Sequence, residues 1–348
     1  MGFSGEILVC DNTQGVGTGI NQQDNNSEDP DQSILDVVNT FYAKGYPVYC
    51  MDWTSIWTVV ASEYSDGDYN DGYVYEAATR ISYPKFRTPS EEHYISLRYG
   101  VWDSLTAQYD SSSLCIIDFP VLKSHAMAGA TVAVKNWIGL LTTAYWNDRY
   151  GSWNNMHYIY FWGDYALVAR VMAVTFPRLV IVDATWISTY NANDLSWLAN
   201  TRMLVASTDP VAPSWYATRY ILTPIARYPN WTNPETGVYG TTLDIWTAFL
   251  SDSAGFSCTK DSSEMSVYNR GIICSPYACG DGNGDENVEI TDAVYLINYL
   301  FKSTAPPECP SPYTCCADAN GDGESTIADV VYLINYMFKS GPEPICLS

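Results

Sequence analysis

Hydrophobic and polar positions divide the chain into a long body and a short tail. In the body, short β-rich runs alternate with stretches of helical period. Residues 6–10 and 47–51 are strand runs, and residues 33–44 between them have helical spacing closed by Gly45, which predicts a βαβ start. Further strands are predicted at residues 114–118, 179–183 and 203–206, and helices at 91–109, 128–142, 163–175, 212–222 and 242–250. Continuous apolar strands imply a mostly parallel sheet flanked by helices on both faces, so the predicted class of the body is α/β. Residues 52–88 read as loop-rich around the polar run 65–72. Helical period returns in the tail at 293–302 and 330–339. There Val294, Ile297, Leu300 and Phe301, and Val331, Ile334, Met337 and Phe338, recur at i, i+3, i+6 and i+7 on one helical face. Proline-rich segments at 305–307 and 341–344 stop both helices.

The tail also repeats itself. Residues 279–309 realign onto 316–346 with an offset of 37, and 18 of the 31 positions are identical. Each copy opens with Asp-x-Asn-x-Asp: Asp281, Asn283 and Asp285, then Asp318, Asn320 and Asp322, with a further carboxylate at the twelfth position, Asp292 or Asp329. A hard cation that takes about 6–8 oxygens is wrapped by such a loop when positions 1, 3, 5 and 12 turn inward and position 7, here Asn287 or Glu324, adds its carbonyl. Two Ca2+ sites are expected. Both copies also begin and end with Cys, 30 residues apart, which makes Cys279 with Cys309 and Cys316 with Cys346 the expected disulfides. Closing such loops contributes ~2–4 kcal/mol to a module too small for a large core. Cys274 and Cys315 are left to pair with each other or elsewhere. Cys10 and Cys50 end neighbouring strand candidates and could be bridged, and Cys115 and Cys258 have no obvious partner.

With these residues in place, the tail resembles the dockerin-type calcium-binding repeat. The resemblance implies a small all-α, EF-hand-like domain that attaches its chain to a protein partner. Glu286 stands where such loops place Gly, whereas Gly323 keeps it. Positions ten and eleven, commonly a hydroxyl pair that meets cohesin, are Ile290-Thr291 and Ile327-Ala328.

Composition narrows the setting. The 348 residues carry 17 Lys+Arg against 39 Asp+Glu, a net charge of −22, which disfavours nucleic acid and anionic membrane surfaces and suits cations, proteins and glycans. A hydrophobic content of 47% against 16% charged residues supports a packed core. No membrane span is predicted, because the most apolar stretch, 166–187, contains Arg170, Pro177, Arg178 and Asp183. The first residues show no signal peptide, which is expected to have been removed ahead of this numbering. Ten cysteines, six of them in the last 75 residues, with no CxxC and three histidines, read as disulfides formed outside the cytoplasm rather than as a zinc site. Two sequons, at Asn25 and Asn230, are glycosylation candidates in an exported protein. The 28 tyrosines are read as subunit interfaces.

In the body, residues 119–139 run Pro120, Leu122-Lys123-x-His125, Gly129-x-Thr131, then Lys135-Asn136 and Gly139; residues 177–184 and 206–212 follow as ordered motifs. On these the body resembles the domain of unknown function 362 family, over most of residues 5–255. Some members are fused to iron–sulfur modules, but this chain has no clustered CxxCxxC, so no iron–sulfur cluster is implied. Lys123, His125, Lys135 and Asn136 are expected to converge at the sheet's C-terminal edge, joined by Asp183 and Asp209, where they would bind an anion or serve acid/base chemistry. Two features depart from the family pattern. Its Gly-rich stretch is replaced by residues 185–193, and its acidic residue after Asp209 is Ser214. His93 and His157 carry no argument.

The expected organisation is a body at 1–256, a connector at 257–276 and a dockerin-like domain at 277–348. The expected function is a secreted, calcium-binding structural or adhesive surface protein that self-assembles into filaments by docking through its tail on identical subunits or another protein. The alternative is an extracellular enzyme acting on an anionic or glycan substrate through Lys123, His125 and Lys135.

Overall fold

The computed structural model describes residues 5–11, 32–56, 59–60, 62–76, 81–140, 166–190, 195–267, 279–285, 287–302, 316–322 and 325–345. They form two compact units, Met1–Ser262 and Ser263–Ser348.

The first unit opens as a βαβ element. Strand β1 (Ile7–Asp11) and helix α1 (Ile34–Ala43) lead to β2 (Val48–Asp52), which pairs in parallel with β1. Helix α1 starts at a capping box in which Asp36 N–H donates to Ser33 Oγ while Ser33 N–H donates to the Asp36 carboxylate, and it ends before Gly45 at φ +87°. Cys10 and Cys50 are free thiols. Register explains why: Cys10 pairs with Met51 and Val9 with Cys50, so the two cysteines alternate to opposite faces.

Residues 52–110 depart from the loop and helix expected there. They form a six-stranded sheet of β3 (Val59–Val60), β4 (Gly72–Glu76), β5 (Ile81–Arg87), β6 (Tyr94–Ser96), β7 (Gly100–Asp103) and β8 (Gln108–Asp110), antiparallel except between β3 and β4. The segment read as a helix at 91–109 becomes three strands because its turns dominate. Gly100 has φ +106°, and Asp103 accepts hydrogen bonds from Leu105 N and Thr106 Oγ1, closing the β7–β8 loop. Tyr64, Tyr73, Tyr83 and Phe86 fill this sheet's core, and Tyr109 donates to Glu63 at 2.8 Å, so part of the tyrosine surplus is core rather than interface. Lys85 is fully buried there, its Nζ donating to Asp68 O at 2.7 Å and lying 4.5 Å from the Tyr64 ring centroid.

The third sheet holds β9 (Ile117–Asp118), β10 (Val121–His125), β11 (Gly129–Thr131), β12 (Leu179–Ser188) and β13 (Leu198–Ser207). Between β11 and β12 lie α2 (Ala133–Asn136) and α3 (Leu167–Val174); after β13 come α4 (Ala212–Ala217), α5 (Pro229–Thr232) and α6 (Val238–Ala248). β12 runs parallel to β9 and β10, but β10–β11 and the long β12–β13 pair are antiparallel. The expectation of a mostly parallel sheet is therefore corrected to a mixed one. The physical reason lies in the burial pattern. Along most of β12 buried and half-buried residues alternate, and along β13 no residue is fully buried, so one face is open, which antiparallel pairs tolerate.

In the second unit, α7 (Ile290–Lys302) packs on α8 (Ile327–Lys339) around Ala293, Leu296, Ala317, Ala319, Val330 and Leu333. The repeats are joined by Gly280 N donating to Cys316 O at 2.8 Å, and within the second repeat Ile345 N donates back to Ala319 O at 2.9 Å. The apolar face expected of each helix is divided: Ile297 and Leu300 lean on the core, whereas Val294 and Phe301, like Val331 and Phe338, face solvent.

Candidate functional site

The two acidic loops share one hydrogen-bond scheme. In the first, Asp281 Oδ1 accepts from Gly284 N (2.8 Å) and Asp285 N (3.1 Å), and Asp292 accepts from Asn283 N at one oxygen (3.2 Å) and Glu289 N at the other (2.7 Å). In the second, Asp318 Oδ1 accepts from Gly321 N (2.9 Å) and Asp322 N (3.1 Å), and Asp329 from Asn320 N (3.1 Å) and Thr326 N (2.7 Å). Each position-twelve carboxylate thus ties its loop to the first turn of α7 or α8. Asp281, Asp292, Asp318 and Asp329 are all buried. Burial pushes Asp292 and Asp329 up from the usual carboxylate range; the backbone donors hold them down, and the charges of Asp281 and Asp285, or Asp318 and Asp322, push them up further. Glu286, Gly323 and Glu324 lie outside the described residues, as do Cys309 and Cys346. Cys279 and Cys316 are disulfide-bonded.

In the first unit the structure brings together some of the expected body residues and not others. Lys123 sits on β10 between Thr131 of β11 and Ser188 of β12, its register partners, and His125 follows two residues on, along the same face. Lys135, on α2, is buried, and burial, then the Lys123 charge, pulls its ammonium down to about 7. His125 Nδ1 accepts from Met127 N (3.2 Å) and Ala128 N (3.1 Å), which places the neutral ring's proton on Nε2. Asn136 turns away to donate to Asp118 at 2.7 Å. Asp183 accepts from Thr185 N and Oγ1. Asp209 accepts from Val211 N, Ala212 N and Thr259 N, anchoring the start of α4 and the chain beyond α6. Asn230 is exposed on α5, whereas its sequon partner Thr232 is buried 3.0 Å from Thr223 Oγ1; Asn25 lies outside the described residues.

Residues 279–338 match the dockerin type I domain. Residues 58–219 match the family described as Domain of unknown function (DUF362), which takes in β3 through α4 and the lysine cluster. No curated protein and no solved structure matches the chain. Dockerin type I domains bind calcium and take cohesin partners. The dockerin residues of this chain fit the ion: the donors are all oxygen, they suit a hard cation, and the charges of Asp281 and Asp285, or Asp318 and Asp322, raise the proton affinity of the carboxylate at position twelve. Asp281, Asn283, Asp285, the Asn287 carbonyl and Asp292 would hold one ion, and Asp318, Asn320, Asp322, Glu324 and Asp329 the other. Calcium supplies the positive charge that lets these carboxylates stay ionised together.

Two features escape the sequence reading. The dockerin exposes a duplicated apolar stripe, Ile290, Val294 and Phe301 on α7 and Ile327, Val331 and Phe338 on α8, which period alone assigns to a single face. In the first unit, Glu6, Glu92 and His93 bring their ligand atoms within 4.8 Å of one another, with His93 Nδ1 2.8 Å from Glu6 Oε2. Only the adjacency of Glu92 and His93 is visible in sequence. No helix among the described residues is long and apolar enough to cross a membrane.

Proposed function

We propose that the chain is an exported structural or adhesive subunit that docks through its calcium-loaded dockerin onto a second copy of itself. One observation carries the docking: three large apolar side chains stand exposed at equivalent positions of both helices, where a folded domain of this size gains nothing from them unless a partner covers them. Cohesin is the other partner class. Ile290-Thr291 and Ile327-Ala328, in place of hydroxyl pairs, favour an apolar surface instead. The body offers apolar positions of its own: on the open face of the β9–β13 sheet Val121 and Leu204 stand exposed on either side of Asp183, and exposed Ile117 lies beside Leu179 further along β12. Tail-to-body contact between copies is heterologous and extends into a filament unless its rotation closes a ring.

Disulfides joining Cys279 to Cys309 and Cys316 to Cys346, glycans on Asn25 and Asn230, and a surface location belong to the same reading; the disulfide-bonded state of Cys279 and Cys316 supports it. Catalysis through Lys123, His125 and Lys135 has less support, because Asn136, Asp183 and Asp209 are committed to structural hydrogen bonds. The test is the double variant Val294→Asp/Val331→Asp, both positions being half-exposed. It is expected to fold and to bind calcium like the wild type yet to stay monomeric in light scattering; assembly equal to wild type would remove the stripe from the account.

A further inference from the structure

Docking makes no use of the lysine cluster in the body, and that cluster has the chemistry of a binding site. Lys123, half-buried on β10, is flanked by Thr131 and Ser188 in register on the neighbouring strands. Thr131 is 8% exposed, and its Oγ1 is buried with no hydrogen-bond partner among the described residues. A buried hydroxyl left in that state is destabilising, so it is retained against a penalty. Lys123 stands beside it in register, and Lys135, buried four residues further along the chain on α2, feels the Lys123 charge. Asp11 is the carboxylate acting on Lys123. Asp118, buried and near in sequence, takes its hydrogen bonds from Asn136 and Trp137. The strand row therefore presents Lys123 and an unused hydroxyl donor on one face of the sheet, half open to solvent at Lys123, with Lys135 near enough to feel the Lys123 charge.

We propose that Lys123, Lys135 and Thr131 form a binding site for a small oxyanion of the phosphate or phosphate-monoester class. A tetrahedral dianion offers acceptors in several directions and can accept from both ammonium groups and the Thr131 hydroxyl together. Ser188 completes the row on the far side of Lys123. A monoanion such as chloride offers neither the charge nor the divergent acceptors.

The experiment is isothermal titration of inorganic phosphate into the full-length, calcium-loaded protein freed of excess calcium, with chloride at matched ionic strength as control and thermal unfolding in parallel. The wild type is expected to take up one phosphate per chain and to unfold at a higher temperature with phosphate than with chloride. Thr131→Val, nearly isosteric, is expected to fold normally and to lose about tenfold or more in affinity, the range for one hydrogen bond to a charged group. Lys135→Met is expected to lose the phosphate-dependent rise in Tm while unfolding without phosphate no lower than the wild type, since a lysine kept for packing alone would lower it. If Lys135→Met does not fold, Thr131→Val decides. Phenyl phosphate titrated beside inorganic phosphate distinguishes a site that admits an ester from one that takes the free ion. Absence of heat and of any Tm shift with phosphate in the wild type, or equal binding by Thr131→Val, overturns the proposal.

Discussion

At Asp118 burial and hydrogen bonding pull in opposite directions. Burial is the larger effect and drives its carboxyl up to about 7, while Asn136 Nδ2 at 2.7 Å and Trp137 Nε1 at 3.2 Å restrain it. An acid whose folded pKa lies above its unfolded value contributes stability at low pH that is lost as pH rises through the folded pKa, here across about pH 4 to 7. Lys135, depressed to about 7, costs stability below that pH and recovers it above, so the two windows do not overlap. Asp118→Asn is accordingly expected to flatten the decline in body Tm between pH 4 and 7 relative to wild type, and an unchanged slope would show that Asp118 stays ionised. Gly129 makes a second residue-scale prediction. It has φ +79°, and a Cβ there would overlap Trp231 O and Tyr239 N where the β10–β11 turn meets α5 and α6. Gly129→Ala is expected to cost on the order of 3 kcal/mol, read as a lower denaturant midpoint. The Gly-x-Thr motif is visible in sequence, but its reason is this backbone approach from residues about a hundred positions away.

The elements depend on the loops. Helices α7 and α8 are 13 residues each, marginal in isolation, and their shared core is six small or medium side chains. With calcium removed, the buried carboxylates of each loop repel one another, and the helices lose their N-terminal anchors at Asp292 and Asp329. Chelation is expected to reduce far-UV helical signal, calcium to restore it, and Asp281→Ala or Asp318→Ala to remove one bound ion each by titration calorimetry; retention of two ions in either variant would contradict the assignment. These elements were legible because a duplicated ligand pattern and helical period act locally. The βαβ start was legible for the same reason, with Ser33 and Gly45 marking the ends of α1. The six-stranded sheet was not, because Tyr94, Val101, Trp102 and Tyr109 have no clean period and only the turns at Gly100 and Asp103 divide them. Strand direction was lost as well: an apolar run such as 179–183 reports burial, not whether its neighbour runs parallel. Lys123 and His125 came together because they are two apart on one strand, whereas the destinations of Asn136, Asp183 and Asp209 depend on turns and caps that a motif does not encode.

For the whole molecule, the net charge of −22 sets the terms of assembly. Copies repel one another until cations screen or occupy their acidic groups, so an apolar docking surface works only with that repulsion reduced. Polymer mass at fixed calcium is expected to rise with ionic strength, and a fall would indicate that ion pairs rather than the stripes hold the copies together. The most direct test is negative-stain electron microscopy with light scattering on the full-length protein, first in calcium and then in chelator. The account predicts ordered polymers that fall apart on chelation. A monodisperse monomer in both conditions would contradict it.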